Sequence, residues 1–234
     1  INQLCRAYEL GLQVYELALE RPTPDITIED AFSEDECAGT IAYGAQAVVG
    51  IDLLCLGEMG IANTAVAAAL YHALYGGRAG DWVGRGTGLD DSGLARKEEA
   101  VSAAVRRIGA ERDPLEILRR LGGREVAAML GAVLAARQAR VPVVIDGFVA
   151  TAAAALLHAV DPDAIGHCLF AHLSAEAAHG SVLERLGAAP ILDLRMRLGE
   201  GTGAALAAAF LKGAVAMHTG MATFAEAGVA GRAG

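Results

Sequence analysis

Residues 197–204 read Arg-Leu-Gly-Glu-Gly-Thr-Gly-Ala, and an apolar run over 205–215 follows them. Gly199, Gly201 and Gly203 allow a sharp turn that presents backbone N–H groups to an anion at the start of a helix. Glu200 does not suit a plain phosphate cradle, because its carboxylate repels the ligand unless it has another task. Proton transfer is such a task. A glycine turn before a helix, with an acid on the helix N-terminus, is also ordinary local structure, so the motif needs support from the rest of the chain.

Residues 57–64, Gly-Glu-Met-Gly-Ile-Ala-Asn-Thr, follow a short apolar run over 51–56 and precede an alanine-rich stretch to Tyr75. Strand, glycine turn and helix in that order place an anion site at the carboxyl end of a parallel strand. No Gly-Lys-Ser/Thr is present, so the loop is not a P-loop. Asn63 and Thr64 either donate to a ligand or cap the helix. A third loop, residues 82–89, contains Gly84, Arg85, Gly86, Thr87 and Gly88. Arg85 is a phosphate neighbour by type, Asp90 and Asp91 start the next helix, and Lys97 lies one or two turns into it, placed to reach the loop. Residues 141–148 form the clearest strand and end at Asp146 and Gly147, where a doubly wound sheet places functional side chains. Residues 164–172 read as another strand that leads into His172 and Ser174, and residues 191–198 as the last strand, which delivers Glu200.

These sites need a frame of alternating strands and helices, which is α/β architecture with loops converging on one edge. At 234 residues with 54% hydrophobic content the chain can bury one sizeable core. A net charge of −9 disfavours a general nucleic-acid binder. Arg106, Arg107, Arg119, Arg120 and Arg124 lie near acids and read as solvated helix faces. The alanine-rich stretches are too short for membrane spans and are interrupted by His158 and Lys212. Cys5, Cys37, Cys55 and Cys168 form no Cys-x-x-Cys pair and suit reduced thiols in a cytoplasm. Helical spacing covers 1–20, Ser33 with Glu36 is a capping box that opens a helix to about Val48, and 205–227 forms the terminal helix before a tail at 228–234. Gly199-x-Gly201-x-x-Ala204 has dinucleotide-fingerprint spacing, but no later strand carries a ribose-binding acid, which disfavours a dehydrogenase.

Taken in order, Gly-Glu-Met-Gly-Ile-Ala-Asn-Thr at 57–64, residues 83–89, Val-Ile-Asp-Gly-Phe at 144–148, His-Leu-Ser-Ala-Glu at 172–176 and the run at 197–204 resemble the nicotinate-nucleotide–dimethylbenzimidazole phosphoribosyltransferase family. The resemblance covers nearly the whole chain. It implies a three-layer α/β/α domain with a mostly parallel sheet, plus a small helical subdomain from the chain ends. The chain then divides into 1–50 (helical segment and connection), 51–204 (nucleotide-binding domain) and 205–234 (C-terminal helix and tail). The implied reaction moves the phosphoribosyl group of nicotinate mononucleotide to 5,6-dimethylbenzimidazole, giving α-ribazole 5′-phosphate and nicotinate for the lower ligand of cobalamin.

The resemblance also assigns roles. Glu200 matches the catalytic base, and Glu58 the second glutamate facing the site. Gly57, Gly60, Asn63, Thr64, Gly84, Gly86, Thr87 and Gly88 belong to the loops that hold the 5′-phosphate, and Leu198, Gly199 and Gly201, which flank the base, are also substrate-binding positions. Asp146 is either a ribose contact or a structural hydrogen-bond acceptor. His172 and Ser174 either line the nicotinate side or are turn residues. No metal and no cofactor is required by this scheme, and the family implies a homodimer. Two positions depart from the pattern: Ala62 and Ala171 stand where the family often has glycine and serine. The chain begins at Ile1 without the family's N-terminal portion, which contributes to the aromatic-base pocket, so base recognition is the function most exposed to that difference.

Overall fold

The computed structural model describes residues 1–86 and 88–229; Thr87 and residues 230–234 of the expected tail lie outside the described residues. In chain order the elements are α1 (Asn2–Tyr8), α2 (Glu34–Gly44), β1 (Leu54–Leu56), α3 (Asn63–Tyr75), α4 (Asp91–Ile108), α5 (Pro114–Leu121), α6 (Arg124–Ala139), β2 (Val143–Ile145), α7 (Phe148–Val160), β3 (Cys168–His172), α8 (His179–Arg185), β4 (Pro190–Leu192) and α9 (Thr202–Gly220). The strands lie side by side as β1-β2-β3-β4, every pair parallel, with Leu54 opposite Val143, Val143 opposite Cys168 and Phe170 opposite Pro190.

Alternation along the strands assigns the two faces. Leu54, Leu56, Val143, Ile145 and Phe170 enter the main core with the helices from α3 to α8. Val144, Ala171 and Leu192 turn the other way and meet Ala204 and Ala207 of α9. The strand order never reverses, so crossovers of one hand leave all their helices on one face and the other face bare. Helix α9 covers that face, and α1 packs behind it, tied by Lys212 Nζ donating to the Tyr8 carbonyl at 2.7 Å. The three layers are therefore as expected, but the sheet is singly wound, and its third layer is supplied by a helix that follows the last strand.

Several boundaries differ from the sequence reading. The helix expected over 1–20 stops at Tyr8, where Glu9 takes a left-handed φ of 53°. Leu12, Tyr15 and Leu19 beyond it are exposed, and a short helix with no surface to pack on is not self-sustaining. The strand expected over 164–172 begins only at Cys168, because Pro162–Ile165 forms a 3-10 turn. The strand expected over 191–198 ends at Leu192, which leaves 193–201 as an irregular arm. The terminal helix runs from Thr202 to Gly220 and not over 205–227.

Local signals hold where they are strongest. The Ser33–Glu36 capping box forms in both directions, at 3.2 Å and 2.9 Å. Helix α2 then lies against α6 so closely that a Cβ on Gly44 or Gly131 would overlap the backbone of Ala128 or Ile41. Arg107, Arg119 and Arg120 are not solvated faces: all three converge on Asp30, at 2.6, 3.0 and 3.1 Å, and fasten the 25–32 connection to α4 and α5. Partial burial pushes the Asp30 carboxyl up, but hydrogen bonds from the three guanidinium groups outweigh it and hold it down at about 2. Among the described residues no helix is long and apolar enough to cross a membrane.

Candidate active site

Because all four strands are parallel, their carboxyl ends share one edge, and each delivers a polar group there. β1 runs into Gly57 and Glu58, β2 into Asp146, β3 into His172 and Ser174, and β4 through the irregular arm to Glu200. Helices α3, α7 and α9 begin at the same edge, so their positive ends face it. A concavity of about 650 Å³ lined by Arg137, Arg140, Asp163 and His167 instead borders the residues that lead into β2 and β3 at the opposite edge, and plays no part here.

The arm carrying Glu200 is locked to the β1 loop. Gly199, Glu200 and Gly201 all adopt left-handed backbone, with φ of 76°, 59° and 71°. Glycine takes this conformation freely, whereas for Glu200 it costs on the order of 1–2 kcal/mol. Three contacts hold the strained residue. Glu200 N donates to the Glu58 carbonyl at 3.0 Å, and Gly201 N donates to Asp146 Oδ2 at 3.1 Å. A Cβ on Gly57 would overlap the Gly201 backbone, so the two loops touch main chain to main chain. The two glutamates that the sequence places 142 positions apart (200 − 58) therefore sit on adjoining loops.

Glu58 is half-buried, and its carboxylate accepts a hydrogen bond from Asn63 Nδ2. Burial pushes the Glu58 carboxyl up to about 7, the negative charges of Glu125, Asp146 and Glu200 push the same way, and the Asn63 bond opposes them. A carboxyl poised near neutral pH can exchange protons readily or answer a nearby positive charge. Exposed apolar side chains, Met59, Ile61 and Leu198, lie on the same two loops.

The same 57–64 loop meets a cationic group at its far end, Thr64. Lys97 Nζ donates to Thr64 Oγ1 at 2.8 Å and to the Gly84 carbonyl at 2.9 Å, so the reach expected from α4 is met. Burial lowers the Lys97 pKa, and the Glu176 carboxylate opposes that shift. Glu176 Oε2 is buried against Gly84 without a hydrogen-bond partner among the described residues. A Cβ on Gly86 would lie 3.3 Å from Thr64 Oγ1, which brings the second and third glycine loops together, whereas Gly88 has nothing within 4 Å. Asn63 and Thr64 do not cap α3: Ala62 holds the cap position at a left-handed φ of 65° with no side-chain bond, and in the first turn the Ala65 N–H closes on the Ala62 carbonyl at 2.9 Å. A backbone of that kind explains why glycine suits the position of Ala62. Arg85 turns away from the site, donating to Asp91 at 2.5 Å and to the Leu89 carbonyl.

His172 and Ser174 are buried and form the wall behind the site. They meet residues that carry no sequence signal. Ser174 N donates to His179 Nδ1 at 2.9 Å, so His179 carries its proton on Nε2 and donates to Thr151 Oγ1 at 3.0 Å; the Thr151 hydroxyl donates to the Gly147 carbonyl at 2.8 Å. This chain leaves no acceptor for a second proton, and burial pushes the His179 pKa down to about 3. The unfolded chain then binds a proton that the folded chain refuses between about pH 6.5 and 3, so the stability His179 contributes is complete above pH 6.5 and is lost as pH falls. The stability difference between the parent and His179→Gln should shrink below pH 6.5 with a slope approaching ~1.4 kcal/mol per pH unit, read from urea midpoints at pH 7, 6 and 5. A difference independent of pH would show that His179 is not held neutral.

With this geometry in place, a model of the family described as phosphoribosyltransferase matches residues 1–229. The chain belongs to that family. The nicotinate-nucleotide–dimethylbenzimidazole phosphoribosyltransferase of Methylocella silvestris is 62% identical to it over 239 residues, spanning 100% of this chain and 69% of that protein. The protein of the same name from Rhizobium leguminosarum bv. trifolii is 62% identical over 231 residues, spanning 98% of this chain and 68% of its own length. The crystal structure of CobT from Thermus thermophilus superposes with a TM-score of 0.87 at 38% identity, over 98% of this chain and 74% of that one. The phosphoribosyltransferase family membership thus extends over both glutamate loops, Lys97 and the buried histidine wall.

Proposed function

We propose that this phosphoribosyltransferase moves the 5-phosphoribosyl group of nicotinate mononucleotide to 5,6-dimethylbenzimidazole, releasing nicotinate and forming α-ribazole 5′-phosphate for the lower ligand of cobalamin. The observation that carries the reading is the junction of the Glu58 and Glu200 loops, with Lys97 on Thr64 of the same 57–64 loop and no side chain capping α3. A carboxylate pair has no use in a passive phosphate site, and a half-buried cation beside a helix start that no side chain caps has no use in a purely acidic one.

In this reading Glu200 takes the ring N–H proton of the benzimidazole while the other ring nitrogen forms a bond to C1′. The C1′–N bond to nicotinate breaks, and its electron pair neutralises the departing pyridinium, so the leaving group needs no acid. Positive charge that builds at C1′ is met by Glu58, much as carboxylates serve glycosyl transfer. The 5′-phosphate lies on the N–H groups of the 57–64 loop and of the loop containing Gly84, Gly86 and Gly88, with Lys97 as the cation. Met59, Ile61 and Leu198 offer apolar surface to the flat base. Nicotinate lies toward the wall of His172 and Ser174, with Gly199 and Gly201 shaping the turn. The exposed Phe210, Val215 and Met217 of α9 support a homodimer, and the four free thiols a cytoplasmic setting.

Chromatographic assay of nicotinate release tests the proposal. Release should depend on the aromatic base, and kcat/KM should rise with pH and level off above about 7, where Glu58 becomes a carboxylate. Nucleotide binding without base-dependent release would support instead a non-catalytic nucleotide-binding protein on the same fold.

A further inference from the structure

Asp146 is 2% exposed, at the carboxyl end of the central strand β2. Both of its carboxylate oxygens are committed. Oδ2 accepts from Gly201 N at 3.1 Å, and Oδ1 accepts from Ala204 N at 2.9 Å. Gly201 is the cap residue of α9, itself left-handed and adjacent to Glu200, so the carboxylate grips the residue on which the strained turn ends. The helix cap is thus supplied from another strand in place of a side chain of its own. His172 closes the remaining side: its Nε2 lies 3.7 Å from Asp146 Oδ1, and its ring fills the space a Cβ on Gly203 would need.

We infer that Asp146 is a positioning residue for the reaction: it touches no substrate, but by holding the Gly201 and Ala204 N–H groups it sets where the Glu200 carboxylate stands. The inference rests on the role proposed above for Glu200. A rigid strand end is suited to this work. The 193–201 arm is irregular, and among the described residues Asp146 is the one carboxylate that ties its end to a strand, beside the Glu58 carbonyl on Glu200 N, the Gly57 backbone against Gly201 and the bonds of Thr202 to the Gly199 carbonyl. With one bond on each oxygen, His172 beside Oδ1 and 2% exposure, Asp146 is turned into the protein and away from a ribose hydroxyl.

Asp146→Asn keeps the shape but offers one oxygen to two N–H donors and turns an NH2 toward the other. Turnover with dimethylbenzimidazole should fall at least about tenfold, with KM for nicotinate mononucleotide within about threefold and one nucleotide still bound per chain by calorimetry. A series of benzimidazoles with increasingly acidic ring N–H groups separates positioning from mere loss of structure. If Glu200 is misplaced, the deficit relative to the parent narrows as the base sheds its proton more easily; a constant deficit across the series would overturn the inference. A raised KM with kcat preserved would make Asp146 a ribose contact. Should the variant fail to fold, amide exchange on the parent decides the matter, because the Gly201 and Ala204 N–H groups should exchange slowly although first-turn amides are ordinarily open to water. Fast exchange there would overturn it. A parent that releases no nicotinate would defeat the proposed function while leaving the amide result to stand or fall on its own.

Discussion

Glu200→Gln lowers turnover about 10²–10⁴-fold while nicotinate mononucleotide binding changes by less than about threefold. The amide preserves the size of the side chain, and the features that hold residue 200 in place are main-chain ones: its N–H on the Glu58 carbonyl and the neighbouring Gly201 N–H on Asp146. The variant therefore removes the proton acceptor and leaves the loop. The phosphate subsite proposed on Thr64, Gly84 and Lys97 makes no hydrogen bond to Glu200 among the described residues, so affinity for the nucleotide should survive. Single-turnover rates and calorimetric affinity, measured side by side, check this. Equal loss of both would assign Glu200 to structure, and retention of turnover would remove it from the chemistry.

Gly57→Ala is expected to reduce turnover by about two orders of magnitude, because a shift near 1 Å at a reacting group can cost that much. Its Cβ would overlap the Gly201 backbone nitrogen and Cα and lie 3.0 Å from the Glu200 carbonyl carbon. No rotamer relieves such a contact, since the obstacle is main chain, so one loop must move away from the other. The shift acts on the bond between Glu200 N and the Glu58 carbonyl, the direct tie between the two carboxylate loops. Stability should fall by only about 1–3 kcal/mol, the usual cost of overpacking, because the loops lie outside the main core. Urea unfolding together with nicotinate release separates the two effects. Unchanged turnover would mean that the mutual placement of Glu58 and Glu200 is irrelevant.

Much of the fold was legible because its signals are local. Each strand–turn–helix unit occupies a short stretch, the Ser33–Glu36 box lies within four residues, and the acid at Asp90 caps α4 where it stands. The ordered glycine and acid motifs were likewise sufficient to suggest the family. Boundaries failed where the decisive force was packing: helical spacing over 1–20 has no surface beyond Tyr8 to pack on, and the 191–198 strand loses its partner after Leu192.

The site divides in the same way. Its amino acids were legible in the sequence alone: Glu200, Asp146 and the glycine loops from type and spacing, and Glu58 from the family resemblance. Their duties were decided by the tertiary structure. Asp146 reaches Gly201 across 55 positions, Lys97 reaches Thr64 across 33, and the three arginines find Asp30 across 77 to 90. A hydrogen bond spanning such distances leaves no periodicity or cap for a reader to find, because only the parallel sheet brings its ends together. The same sheet moves the carboxyl of Glu58 toward neutrality, since its burial and acidic neighbours exist only once the four strand ends meet at one edge.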